Sequence, residues 1–275
     1  MLPSLWRYWR TLRDDGAHTL RRVSPLLHQT DLSPADWVTN GVGPFGSGVG
    51  SLIPGGYVAY ARILHPAVSS GGMPVRWDTV AAWSGRIVHP RAQFETMAWP
   101  RPSVTIEQAP FDQPPPVGRL PEAILAGLCD VLATHTGTPG RCWFCIWDGY
   151  GWISGSTSSD PLGGGTPVPP AFDGATIEGS RVRLPEREYL LFEGPLDAVS
   201  EMGWWLNGRL VSPQSPNLFW PDDRAWCVAT EIDLDSTFVG GSVALIDAVL
   251  GDSRWEAWPA QRTDLVWASS DDINQ

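Results

Sequence analysis

The hydrophobic and polar positions of the chain are most regular between Ser215 and Leu250, SPNLFWPDDRAWCVATEIDLDSTFVGGSVALIDAVL. From Arg224 to Phe238 they alternate as a strand requires. Trp226, Val228, Thr230, Ile232 and Leu234 make one face, suited to a core. Ala225, Cys227 and Ala229 open the other face, and Glu231, Asp233 and Asp235 continue it as three carboxylates at every second position. Gly240 and Gly241 end this strand, Ser242 is placed to cap a helix, and Val243 to Leu250 forms that helix, closed by Gly251. A helix so apolar all round belongs in the interior.

The rest of the chain carries shorter signals. In residues 1–13 a helical stripe of Leu2, Leu5, Trp6, Trp9 and Leu12 is set against Arg7, Arg10 and Arg13, so residues 1–25 read as an amphipathic basic arm. Asp31 to Pro34 starts a turn or short helix that runs through Trp37. Tyr57 to Leu64 reads as a strand, Thr79 to Trp83 as a short helix capped by Asp78, and Pro90 to Ala98 as a second helical piece. Seven prolines between Pro100 and Pro121 mark an extended connector and a candidate sub-domain boundary. Pro121 and Glu122 then start a helix with Ile124, Leu125, Leu128, Val131 and Leu132 on its apolar stripe. A strand over 141–147 leads to a turn, Asp148 to Gly151, and to a Ser/Gly/Pro/Thr loop from Gly155 to Gly174. Strands near Arg181–Leu184 and Glu188–Phe192 precede a short helix that ends at about Met202. Together these predict an α+β protein: a mixed, mainly antiparallel sheet with helices packed mostly on one side and long loops, in one domain over residues 26–275.

Composition narrows the function. A net charge of −11 argues against nucleic acid as a partner. No run of about 20 apolar residues is present, which argues against stable membrane insertion, and no secretory signal pattern opens the chain. Lysine is absent, and all 19 basic residues are arginine, the signature of a GC-rich genome. Sixteen tryptophans are too much aromatic area to leave in water, so most belong to the core. Cys142 and Cys145 match C-x-x-C, but on a strand residues three apart face opposite ways. With Cys129 and Cys227 they read as packing thiols of a cytoplasmic protein.

Two stretches are candidates for chemistry. Trp220-Pro221-Asp222-Asp223-Arg224-Ala225-Trp226 is an aromatic-rimmed charged turn. Its Trp220, Asp222, Asp223, Arg224 and Trp226 are candidate ligand or partner contacts, since Trp and Arg dominate binding hot spots. The carboxylates Glu231, Asp233 and Asp235 need water, an arginine (Arg224, Arg254 or Arg262) or a divalent cation to offset their repulsion, which makes them candidate Mg²⁺ or Mn²⁺ ligands. GVGPFGSGVG, from Gly41 to Gly50, contains G-x-G-x-x-G without the strand and helix of a dinucleotide site, and remains as a loop able to fold over a ligand.

The strings RCWFCIWDGYG (141–151), REYLLFEGP (187–195) and SPNLFWPDDRAWCVATEIDLDSTFVGGS (215–242), with GPFGSGVGSLIP and YVAYARILHP earlier, resemble a family of hypothetical cytoplasmic proteins of GC-rich bacteria. The resemblance covers most of the chain, implies a bacterial cytoplasmic protein, and carries over no catalytic residues. The leading functional expectation is a non-catalytic binding or regulatory protein, of the immunity type, that acts through a protein partner and needs no cofactor. One alternative is a small-molecule sensor in which Trp220 or Trp226 stacks a ring. The other is a divalent-metal hydrolase of a phosphate-containing substrate, with Glu231, Asp233 and Asp235 holding the metal.

Overall fold

Among the described residues nine strands form the central sheet. They are β1 (Leu27–His28), β2 (Ala59–Leu64), β3 (Cys142–Trp147), β4 (Val182–Leu184), β5 (Arg187–Gly194), β6 (Leu218–Pro221), β7 (Cys227–Ala229), β8 (Ser236–Gly241) and β9 (Glu256–Ala260). The spatial order is β4-β5-β3-β6-β7-β8-β2-β9, with β1 alongside β5, and each pairing is antiparallel. The computed structural model describes residues 9–11, 20–22, 26–99, 108–158, 166–206 and 209–274. The α+β architecture with a large antiparallel sheet is thus as the periodicity predicts. β1 and β2 precede the proline-rich connector, yet they pair with strands that follow it.

Alternation explains why the sheet is buried on both faces. On β3, Cys142, Phe144 and Ile146 join one hydrophobic cluster while Trp143 and Cys145 join the other. On β5, Leu190 and Phe192 divide in the same way from Tyr189 and Leu191. The helices α4 (Glu122–Ala133) and α5 (Val243–Gly251) contribute to the first cluster. Val38 of α1 (Asp36–Gly41), the Val49–Ile53 segment and Val266 contribute to the second. A third, smaller cluster gathers Trp77 and Val80 of α2 (Trp77–Ser84), Phe94 and Met97 of α3 (Phe94–Met97), and Leu64. The predicted stripe of α4 is largely buried, and the Ser242 hydroxyl accepts from Leu245 N at 3.2 Å, as a cap should.

The main departure lies between Arg224 and Phe238. This stretch is a hairpin, β7 and β8 joined by a turn over residues 230–235, and not one strand. Alternation of Glu, Ile, Asp, Leu and Asp imitates a strand, but short carboxylates compete for local backbone donors. Here Glu231 Oε2 accepts from Asp233 N at 2.6 Å, and Leu234 N donates to Glu231 O at 3.1 Å, closing the turn.

Other elements also differ from expectation. Helix over Pro90–Ala98 shrinks to α3, and Asp78 lies inside the first turn of α2 instead of capping it. β9 and the hairpin of Gly203–Leu206 with Arg209–Pro213 were hidden by Trp and Pro content that fits no simple period. The N-terminal helix falls largely outside the described residues; within them Trp9–Thr11 and Leu20–Arg22 pair as short strands. Of the Gly155–Gly174 loop, Ser156–Ser158 pairs with Thr166–Val168, and residues 159–165 lie outside the described set, as do residues 100–107 of the connector.

The glycine-rich loop is pinned, which removes the expected lid. Val49 N donates to Asp264 O (3.0 Å), Gly50 N to Arg262 O (2.8 Å), and Trp267 Nε1 to Gly46 O (3.1 Å). Gly48 has φ +95°, and a Cβ there would lie 2.4 Å from Asp264 O. Gly48→Ala is therefore expected to cost about 2–3 kcal/mol, from left-handed strain and the backbone clash together. Urea unfolding checks this, and a loss below about 0.5 kcal/mol would show that the loop yields freely.

Candidate functional site

The charged turn places its aromatic residues inward. Trp220 is 1% exposed, edge-on to Trp37 at 5.8 Å, and Trp226 is fully buried with Nε1 donating to Leu132 O at 3.1 Å. Neither ring can stack an incoming ligand, which corrects the proposed roles of Trp220 and Trp226. Asp222, Asp223 and Arg224 are exposed. Asp222 Oδ1 accepts from Trp143 Nε1 at 3.0 Å, and its other oxygen lies 3.6 Å from Arg141. Asp223 receives the Thr136 hydroxyl (2.8 Å), Gly137 N (2.7 Å) and Ala225 N (3.0 Å). Burial works against ionisation of Asp223, but these hydrogen bonds outweigh it and hold the carboxyl below its usual value. Arg224 lies with its guanidinium 5.4 Å over Trp37 and makes no local ion pair with Asp222 or Asp223 among the described residues.

Two of the three alternating carboxylates share one arginine, and the third turns to another. Glu231 is buried and bonds Arg187 Nε at 2.8 Å, while Asp233 is exposed and bonds Arg187 Nη2 at 2.9 Å. Asp235 turns away to Arg62, 3.7 Å distant. Arginine is indeed what offsets them, but it is Arg187 and Arg62, far off in sequence, and not Arg224, Arg254 or Arg262. The shared face that the metal assignment of Glu231, Asp233 and Asp235 required does not form, because the strand turns at Glu231. Among the described residues no group of three His, Cys, Asp or Glu side chains is arranged to hold an ion. The cysteines are all unpaired, and burial pushes the Cys142 thiol up to about 12.

A site outside both stretches is a cleft of about 610 Å³. Its wall is apolar and comes from distant segments: Leu64 at the end of β2, Ile124 and Leu125 of α4, Val199 and Met202 around the 3-10 helix Leu196–Glu201, and Trp255 before β9. Each of these six is also part of the hydrophobic core, so the wall is fixed by packing. Arg76, Arg119, Arg254, Glu122, Glu256 and Gln214, with three serines, supply its polar groups.

Most of those polar groups are already engaged. Arg76 Nε bonds Asp78 at 3.0 Å and its Nη1 donates to Trp255 O at 3.3 Å. Arg254 bonds Asp252 and Asp130 and lies 5.0 Å over the Trp255 ring. Glu256 Oε2 accepts from Trp77 N at 2.8 Å, and burial, followed by the Asp78 charge, raises its carboxyl above the usual value. Gln214 Nε2 donates to Gly118 O (2.9 Å) and Tyr150 Oη (3.1 Å). Among the described residues Arg119 Nη1 donates only to Pro213 O, at 3.2 Å.

No local motif announces this site. The one legible piece was Pro121-Glu122, read as the start of a helix, with nothing in the string to say what that start faces. Fold and site together define an α+β protein with a nine-stranded antiparallel sheet and a ligand-sized, apolar-walled cleft. Comparison of the chain with protein-family models, with curated proteins and with solved structures returns no match. Among the described residues no helix is long and apolar enough to cross a membrane.

Proposed function

We propose that this chain is a non-catalytic binding protein whose cleft between α4, β2 and β9 takes a small molecule. The cleft itself carries the reading: about 610 Å³ of space with an apolar wall and a few polar groups at its rim is the ordinary form of a small-molecule site. Trp255 supplies the aromatic wall that a sensor needs. A regulatory or immunity-type role through a protein partner is the second reading, and the exposed Asp222–Arg224 turn favours it. Its two tryptophan anchors are sealed in the core, so the cleft is the stronger basis. Unpaired cysteines support the reducing cytoplasm that the sequence resemblance implies.

The test is saturable binding of Nile red, an uncharged fluorescent probe, to the full chain. Ala123 is exposed and lines the cleft, so Ala123→Trp fills the space without replacing a core residue. The wild type is expected to bind the probe and the variant to bind it about tenfold more weakly, with an unchanged unfolding midpoint. Equal binding by both proteins, or no saturable binding by the wild type, would rule out the cleft.

A further inference from the structure

We propose that the cleft is built for a small amphipathic monoanion, an organic carboxylate, with its head at Arg119 and the first turn of α4 and its apolar body along Leu64, Ile124 and Trp255. This rests on the reading of the cleft as a ligand site.

Charge accounting at the rim comes first. The chain has 30 acidic residues against 19 arginines, so a carboxylate partner is easily found for a surface arginine. Arg76 and Arg254 each have one, Asp78 for the former and Asp252 with Asp130 for the latter. Arg119 lines the cleft beside them with no carboxylate partner among the described residues, only the Pro213 carbonyl. An exposed guanidinium with free donors offers charge-assisted, paired hydrogen bonds to a carboxylate.

The backbone next to Arg119 adds to this. α4 begins at Glu122, its N-cap position is Pro121, and no side chain caps it. The first N–H groups of a helix have no acceptor within the helix, and the helix dipole makes this end positive. Leu125 N, donating to Pro121 O at 2.9 Å, is the first to be satisfied in this way. Glu122, Ala123 and Ile124, which precede it, all line the cleft.

The same wall limits the charge of the ligand. Glu122 and Glu256 also line the cleft, so a phosphate dianion would meet two carboxyl groups against one uncommitted arginine. One negative charge is what Arg119 and the helix start can balance. A cationic ligand would have to displace nothing from Glu122 but would face Arg119 and the positive helix end. Most of the remaining wall is hydrocarbon, which asks for an apolar body attached to the head.

The experiment is displacement of Nile red from the full chain at neutral pH and low salt by decanoate, decanol, decylammonium and decyl phosphate. Decanoate is expected to displace the probe about tenfold more strongly than decanol, an advantage typical of one charge-assisted contact. Arg119→Met should reduce that advantage at least about fivefold and leave decanol unchanged, and Glu122→Gln should strengthen decanoate by about two- to threefold. Equal displacement by decanoate and decanol would overturn the proposal, as would preference for decylammonium or decyl phosphate, or an advantage that survives Arg119→Met. Each of those results keeps saturable Nile red binding and so spares the cleft itself; a wild type that never binds the probe sinks both.

Discussion

Arg62→Ala is expected to lower the unfolding free energy by about 4 kcal/mol, the cost of breaking a buried charge pair by removing one partner. Arg62 lies in the middle of β2, in register with Phe238 of β8 and Trp258 of β9, and is 2% exposed. Its Nε donates to Ser236 Oγ at 3.0 Å, and its Nη1 donates to the carbonyls of Pro90 (3.1 Å) and Ala92 (2.7 Å). The guanidinium sits 5.6 Å from the Trp77 ring and 6.0 Å from that of Phe238, and it faces Asp235. Truncation would leave two inward carbonyls without their donor, a nearly buried carboxylate without its counter-charge, and a void between two rings. Domains of this kind are stable by about 5–15 kcal/mol, so this one contact decides much of the margin.

A pH dependence separates the charge from the void. Burial raises the Asp235 carboxyl above its usual value while Arg62 opposes the rise, so loss of Arg62 raises it further. A carboxyl raised in the folded state favours folding at low pH, and that contribution is lost as pH climbs through the folded value. His65, held down to about 4 chiefly by burial with some help from the Arg62 charge, would also be relieved. Both changes make the deficit of Arg62→Ala smaller near pH 4 than at pH 7. Urea unfolding at the two pH values checks it, and Asp235→Asn added to Arg62→Ala should recover part of the loss. A deficit under about 1 kcal/mol, or one that grows on acidification, would show that Arg62 is not the anchor of this region.

Asp271→Ala has the next largest expected effect, about 3 kcal/mol at neutral pH, because it strips one acceptor from several buried donors. The Asp271 residue is fully buried and accepts from His89 Nε2 (2.9 Å), Gln93 N (3.1 Å), Ile273 N (3.2 Å), Asn274 N (2.9 Å) and Asn274 Nδ2 (2.9 Å). Asn274 in turn pairs with both backbone groups of Ile87. One carboxylate thus ties the end of the described chain to the segment that leads into α3. Burial alone would push its pKa up, but hydrogen bonds from Asn274, His89 and Gln93 prevail and hold it at about 2. A depressed carboxyl stabilises the fold above its unfolded value and ceases to do so as pH falls through the folded one. The shift is worth roughly 2 kcal/mol, so wild type and Asp271→Ala should converge in stability as pH approaches about 2. Unfolding curves across that range test the sign, with limited proteolysis of the tail at neutral pH as a second measure. An unchanged midpoint with an uncut tail would mean that the latch does not hold the segment.

Which parts of this molecule were legible in the chain itself follows a physical line. Alternation over Cys142–Trp147 and Arg187–Gly194, the stripe of Glu122–Ala133, and the Ser242 cap before Val243 are local patterns, and local patterns specify local structure. Placement of Cys142 and Cys145 on opposite faces needed nothing beyond the strand repeat. Glu231, Asp233 and Asp235 satisfied the same repeat, yet they turn, because Glu231 finds its neighbour's N–H and then Arg187, 44 residues earlier. Whether Trp220 points inward or outward was equally undecided until Trp37 was brought against it. The cleft is the extreme case: its wall joins residues from Leu64 to Trp255, and only sheet order and helix packing make them neighbours. Periodicity and caps act over a few residues and so are written in the chain; the partner of a buried charge and the walls of a cavity depend on long-range packing, and only the folded protein decides them.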